Sequence, residues 1–565
     1  MAWRPIWKRS IYAWECNLCE SRFFPLSGIY PQYSNIISRY IYLVLRSVEL
    51  RKDEYDGLIV IDPGESINAA QTVKNAFNEH LDDVLAKKTV KAIIYTHHHD
   101  CHIHGASVFA GNDSPEIIAH ENLNATLFYD WYSQLYPGRV EGGAKMSGAL
   151  FANDSGWYAG GGLFAVQIPG PSGLLPPTRT VSDSLDTTIA GVNITLLSAP
   201  GETRDVLTIW LKDKKILVQI ANLYQSMPAE TTLRGACFRN PLDYVSSIDL
   251  YRSLDPECMV LIHGPNPVVA GKENVSALLT NYRDAIQFIH DQTVQYMNKG
   301  LSPGEIAEIL KLPPHLAKDP YLQEFYAQVD RNIYETFWWY RESFTGKCRD
   351  LFLQSPKEQA LMAAELAGGV DGLAAKAAKA IDNGSLEWAL ILADDALILD
   401  PENSQARKTK DSAMISLAEG TINAQTRNYL LSEYLLETGQ AKIPILGKPR
   451  LVFAGMNDNI VPLMPMDDLF RIMAVSLNAT KSLDSDLVIA LKLTGKNGTT
   501  EASDYSLHVR HGVFEAMPQT AENAKFTIET EPLVWKNLCL GKLNPQEAVL
   551  KGDVKILGAD PKAFY

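Results

Sequence analysis

Five histidines fall within the eight residues His97 to His104, in the stretch Thr96-His97-His98-His99-Asp100-Cys101-His102-Ile103-His104-Gly105. This stretch directly follows the apolar run Lys91–Thr96, KAIIYT, which reads as a buried strand. Imidazole nitrogen and thiolate sulfur are favoured zinc donors, and a loop leaving a strand end can aim alternate side chains at one point. The fold must therefore bring strand ends together at a rim where further ligands can arrive from elsewhere in the chain.

Upstream, Gly57–Gly64 (GLIVIDPG) is a second apolar run, closed by the turn signal Asp62-Pro63-Gly64. Ser66 to Leu85 has helical spacing with Ser66 as its N-cap, so the order is strand, helix, strand: an α/β beginning. Further strands are expected at Val192–Leu197, Leu207–Leu211, Ile216–Ile220 and Met259–Ile262, the last followed at once by His263-Gly264-Pro265. A helix around Leu278, Tyr282, Ala285, Ile289 and Val294 keeps one apolar face. Near Ser355 the composition turns to Ala, Leu and Glu, with breaks at Gly368-Gly369, Asn383-Gly384 and Asp400-Pro401, the pattern of short helical hairpins. A connector from Ile443 to Met466 leads to an α+β tail with strands at Leu487–Leu493, Tyr505–Arg510 and Phe526–Thr530.

At 565 residues the chain has room for about three or four domains. With 66 acidic against 52 basic residues and a net charge of −14, it has no general attraction for nucleic acid or anionic lipid. An anionic substrate must be drawn in locally. The longest apolar candidate, Tyr40 to Leu45, is far shorter than the ~20 residues a membrane span needs, and it is bracketed by Arg39 and Arg46. The chain thus reads as soluble, without a signal peptide in its first 50 residues. Asn-x-Ser/Thr triplets at Asn112, Asn124, Asn193 and Asn478 suit a secreted protein, so secreted and cytoplasmic locations both stay open. Cys16-x-x-Cys19 has redox spacing without a second pair, and His290 and His315 read as structural. Trp338-Trp339-Tyr340 reads as a helix end packed on the core rather than as a pocket for an alkyl chain.

The histidine stretch resembles the metallo-β-lactamase superfamily, whose signature is His-x-His-x-Asp-His after a strand, with an upstream strand-ending Asp that Asp62 matches. More narrowly, the chain is similar to the alkylsulfatase branch, on the strength of Ala199-Pro200-Gly201-Glu202-Thr203, Leu233-Arg234-Gly235, Ile262-His263-Gly264-Pro265, YRDAIQFIHDQT from Tyr282 and LPPHL from Leu312. The resemblance implies an αββα metallo-β-lactamase sandwich, a helical dimerisation domain and a small sterol-carrier-like α+β domain. The corresponding spans are 51–350, 355–445 and 458–565, with 1–50 a divergent N-terminal segment. It also implies two zinc ions. One would be held by His97, His99 and Glu202, the other by Cys101, His102 and His263, with Arg234 gripping the sulfate.

Three positions depart from that pattern. Cys101 stands where the family has Asp; a thiolate is itself a good zinc ligand, which ranks it ahead of Asp100 one residue away. Ala221 falls where a carboxylate would bridge the two cations, so the second site should be weaker, and Ala229 replaces an Asn near the sulfate. The resemblance implies a homodimeric zinc hydrolase of sulfate esters with one or two ions. Two other readings stay open: a degenerate relative that binds lipid or a partner, and a hydrolase of another ester such as a phosphodiester. The apolar residues Leu469–Ala474 and Leu487–Leu493 fit either a lipid tunnel or an ordinary core.

Overall fold

The computed structural model describes residues 57–80, 87–151, 157, 159–163, 168–261, 268–443, 448–495, 504–519 and 522–560. His263, Cys16, Cys19 and the segment 1–50 lie outside the described residues.

The first sheet is four-stranded and wholly parallel, in the order β1 (Leu58–Ile61), β2 (Val90–Ile94), β3 (Glu116–His120) and β4 (Arg179–Val181). β1 and β2 are joined through the helix Ile67–His80, whose start is capped by the Ser66 hydroxyl accepting from the Ala69 amide at 3.1 Å. Six further strands form the second, mixed sheet: β5 (Ser184–Ile189), β6 (Val192–Ser198), β7 (Leu207–Leu211), β8 (Ile216–Val218), β9 (Cys258–Val260) and β10 (Val268–Ala270), in reverse chain order across the sheet.

Period-two alternation explains how these sheets stack. Along β1, Ile59 and Ile61 face one way and Leu58 and Val60 the other. The first pair meets Leu207, Ile209, Leu211, Ile216 and Val218 of the second sheet, forming the core between the sheets. The second pair meets Ala69, Ala70, Val73 and Phe77 of the connecting helix. On the outer face of the second sheet, Trp210, Leu217 and Met259 pack under Pro241–Ser253 and Lys272–Asn298. Helix, sheet, sheet, helix is the four-layer order implied by the resemblance.

Helices Pro356–Ala367, Val370–Asp382, Leu386–Leu399 and Ser404–Gly420 make an alanine-lined helical unit. Helix Ala424–Glu437 returns to the sandwich, where Asn428 Nδ2 donates to the carbonyls of Met146 and Gly160, each at 2.8 Å. The tail holds a five-stranded sheet, order β13-β12-β11-β14-β15, built from Asp486–Leu493 (β11), Asp504–Arg510 (β12), Val513–Met517 (β13), Phe526–Thr530 (β14) and Val554–Leu557 (β15). Its apolar side runs continuously into the helical face of the first sheet.

One expectation fails. Trp338, Trp339 and Tyr340 are exposed at the end of helix Val329–Arg341, with Trp339 stacked on Phe238 at 4.5 Å between ring centroids instead of packed on the core. The apolar face of that helix is carried by Ile333 and Phe337, which satisfies the core without the aromatic triplet.

Candidate metal centre

β2 delivers the chain to the rim between the two sheets. There the Thr96 carbonyl accepts from the Leu207 amide at 2.7 Å, joining the two sheets where the histidine loop begins. Asp62, at the end of β1, sits in the left-handed region at φ 52°, a conformation that non-glycine residues adopt where something holds them. Its Oδ1 accepts from the Thr96 amide at 2.8 Å, and its Oδ2 from the Thr96 hydroxyl at 2.7 Å and from His102 Nδ1 at 2.9 Å. A carboxylate that holds Nδ1–H directs Nε2 of the ring outward as a donor.

The loop places His97, His98, His99 and His102 side by side and buried; the His97 and His102 ring centroids are 4.1 Å apart. His97 Nε2 and His99 Nδ1 approach to 3.0 Å. Glu202 comes from the turn between β6 and β7, and its carboxylate lies with one nitrogen each of His97 and His99 so that all three ligand atoms are within 4.8 Å of one another. Two nitrogens and a carboxylate oxygen converging from different elements fit a divalent cation. Burial, followed by the charges of His97, His98, Arg234 and Arg239, holds the His99 pKa well below its ordinary value, so the ring is neutral as ligation requires. Burial opposes charge on His102 too, but Cys101 and Asp62 outweigh it and raise its pKa well above its ordinary value.

Sequence reasoning missed four side chains that hold this arrangement. Arg239 pairs with Glu202 Oε1 at 3.0 Å. Asn222 Oδ1 accepts from the Glu202 amide at 2.9 Å while its Nδ2 donates to the Ala199 carbonyl at 2.8 Å. This approach needs Gly201, where a Cβ would come within 2.4 Å of Asn222 Oδ1. Asp205 Oδ1 contacts His98 Nδ1 at 2.9 Å, and Asp130 Oδ2 stands 3.4 Å from His98 Nε2. Burial works against protonating His98, but Asp205 and Asp130 prevail and push its pKa up to about 9. Only the position of Asp205 three residues after Glu202 offered a sequence signal.

The remaining expected residues are placed as follows. Asp100 Oδ1 meets His104 Nε2 at 2.8 Å, so this carboxylate is engaged away from the trio. Cys101 lies beside His102 and is half-buried. Ala221 is buried among apolar side chains and supplies no ligand, and Ala229 is likewise buried. The Arg234 guanidinium stacks over Trp131 at 4.5 Å, and the Trp131 ring is 6.4 Å from that of His99, which puts a cation next to the histidines.

Three family profiles match the chain: metallo-beta-lactamase superfamily over residues 47–219, alkyl sulfatase dimerisation over 302–438 and alkyl sulfatase C-terminal over 455–564. A linear primary-alkylsulfatase from Pseudomonas sp. is 31% identical over 523 residues, covering 90% of this chain and 96% of the relative. The chain belongs to the alkylsulfatase family of the metallo-β-lactamase superfamily. An (R)-specific secondary-alkylsulfatase from Pseudomonas sp. is 26% identical over 529 residues, covering 90% of this family member and 75% of the relative. The solved structure of the stereoselective inverting sec-alkylsulfatase Pisa1 from Pseudomonas sp. superimposes with a TM-score of 0.79, covering 94% of this chain and 85% of that one at 23% identity, which establishes the shared fold. Among the described residues, no helix of this alkylsulfatase-family chain is long and apolar enough to cross a membrane.

Proposed function

We propose that this chain is a zinc-dependent sulfuric ester hydrolase that cleaves alkyl sulfates to alcohol and sulfate, working as a homodimer through its helical domain. The convergence of His97, His99 and Glu202 on one point, in a member of the alkylsulfatase family, carries the reading. His97, His99 and Glu202 would hold the stronger zinc position. Cys101, His102 and His263 would hold a weaker one, because Ala221 leaves it without a bridging carboxylate.

Bound zinc supplies Lewis acidity and a water whose pKa is lowered to about 7. The chain's own side chains do the rest. Arg239 and Asn222 fix the Glu202 carboxylate and backbone, and Asp62 fixes the His102 tautomer. Arg234, already beside the histidines on Trp131, binds the anionic sulfate with its planar fork and orients the ester bond towards the imidazoles.

The test is release of inorganic sulfate from a primary alkyl sulfate, beside a phosphodiester, by zinc-loaded and chelator-stripped protein. Sulfate release that needs zinc and exceeds phosphodiester cleavage is expected. Zinc-loaded protein that hydrolyses neither ester would make this chain a non-catalytic relative, and a preference for the phosphodiester would reassign the substrate.

A further inference from the structure

Behind the trio that includes Glu202 lies a second group. One ligand atom each of His98, His99 and Asp130 falls within 4.8 Å of the other two, and all three residues are buried. Two of the nitrogens there are buried: His99 Nε2 has no hydrogen-bond partner among the described residues, and His98 Nε2 faces the Asp130 carboxylate at 3.4 Å. An imidazole with one face hydrogen-bonded and the other bare is oriented as a metal-binding histidine is.

We propose that His98 Nε2, His99 Nε2 and the Asp130 carboxylate form an additional cation site that takes a borderline divalent ion such as zinc or cobalt, adjoining the His97–His99–Glu202 position through the His99 ring. Each donor is held in place by a neighbour. Asp205 Oδ1 engages His98 Nδ1 at 2.9 Å, leaving Nε2 to face the site. The Nδ1 of His99 is turned towards His97 Nε2 at 3.0 Å, so its Nε2 faces the opposite way. Asp130 Oδ1 accepts from Arg139 at 2.6 Å and from the Cys237 amide at 3.1 Å, which leaves Oδ2 towards His98. Two nitrogens and a carboxylate oxygen form a donor set for zinc or cobalt. The His99 ring is then shared, Nδ1 serving the Glu202 trio and Nε2 the new site. On binding, the cation displaces the proton of His99 Nε2, and any proton on His98 Nε2, into solvent. The competing account is a protonated His98 lying between Asp205 and Asp130 as a plain ion pair, with no cation.

The experiment uses the full chain with Cys101→Ser, which removes the thiolate of the other proposed position. Equilibrium dialysis should find two zinc ions per chain in this protein and one after adding His98→Gln, while Asp130→Asn should weaken the second ion at least tenfold. One ion in Cys101→Ser, or two of unchanged affinity after His98→Gln, overturns the proposal. A measurement that leaves His98 and Asp130 intact guards against misfolded variants. Two Cu2+ ions on one imidazole ring couple magnetically, so the second equivalent should reduce the paramagnetic resonance intensity per ion. A second equivalent that simply doubles an unperturbed signal refutes the shared ring and the site with it.

Discussion

Replacing Asp62 by Asn keeps size and shape, and Asn tolerates the left-handed backbone at φ 52°, so the change isolates charge and hydrogen-bond direction. Asp62 accepts three hydrogen bonds, from the Thr96 amide, the Thr96 hydroxyl and His102 Nδ1, at 2.7–2.9 Å. Asn has one acceptor oxygen. If that oxygen serves the Thr96 amide, the new NH2 faces His102 Nδ1, which must then accept. The His102 proton moves to Nε2, the nitrogen a cation would use. Losing a buried hydrogen bond to a charged group costs about 1.5–3 kcal/mol of stability. Loss of the carboxylate behind a metal-binding histidine costs about 10–100-fold in metal affinity, or about 1.4–2.7 kcal/mol. The assay is competition for zinc against a chromophoric chelator, with thermal unfolding of the zinc-free protein in parallel. Asp62→Asn should weaken the zinc held at His102 by that factor while leaving the ion on His97, His99 and Glu202 bound. Unchanged affinity at every site, with stability lowered as expected, would refute the claim that Asp62 sets the His102 tautomer.

Gly142→Ala should raise the KM for an alkyl sulfate, because a Cβ there would stand 2.8 Å from Arg234 Cα and 3.1 Å from its carbonyl oxygen; Gly143→Ala, in open space on the same helix, should leave KM alone and stabilise by up to about 1 kcal/mol in thermal unfolding. Glu230 is buried, and that burial raises its carboxyl pKa well above the usual range, against the lowering effect of the Thr336 hydroxyl. The folded state therefore binds the proton more tightly, so the wild-type chain loses stability as pH rises above the unfolded value of about 4.3. Glu230→Gln should be the more stable protein at pH 7, with melting curves that converge towards pH 4. Ala221→Glu should increase zinc occupancy and turnover if residue 221 occupies the bridging position, as measured by metal analysis and sulfate release.

How much of this was legible follows from where each residue's partners lie. β1, β2 and β7 announce themselves because both faces of each are wanted by a core, leaving dense runs such as LIVI and LTIWL. β4 and β5, RTV and SLDTTI, are short or half-exposed and carry no such run, so only the fold reveals them. His97 and His99 could be picked out by local density, and Glu202 by its Pro-Gly-Glu-Thr setting. Asp130, Asn222 and Arg239 are single polar residues in unremarkable text, and Asp205 is marked only by its place three residues after Glu202. The contacts that bring them to the centre span long stretches of chain, 20 positions from Asn222 to Glu202 and 107 from Asp205 to His98, so their roles exist only after the sheets have packed.

That dependence explains why the centre sits at this rim. Asp62 reaches the histidine loop from the first sheet and grips His102; Asp205 reaches it from the second sheet and grips His98. The Thr96–Leu207 backbone bond fastens the two sheets between those carboxylates. Separate the sheets and His98 loses its brace Asp205 while His97 and His99 lose their co-ligand Glu202, because Glu202 and Asp205 belong to one side and the histidines to the other. A cation bound here therefore favours only the closed sandwich, and its binding free energy adds to that of the apolar layer formed by Ile59, Ile61, Ile209 and Val218. The family trio draws on this closure for its carboxylate Glu202; the proposed trio draws on it only through the Asp205 brace on His98, since His98, His99 and Asp130 all follow strands of the first sheet.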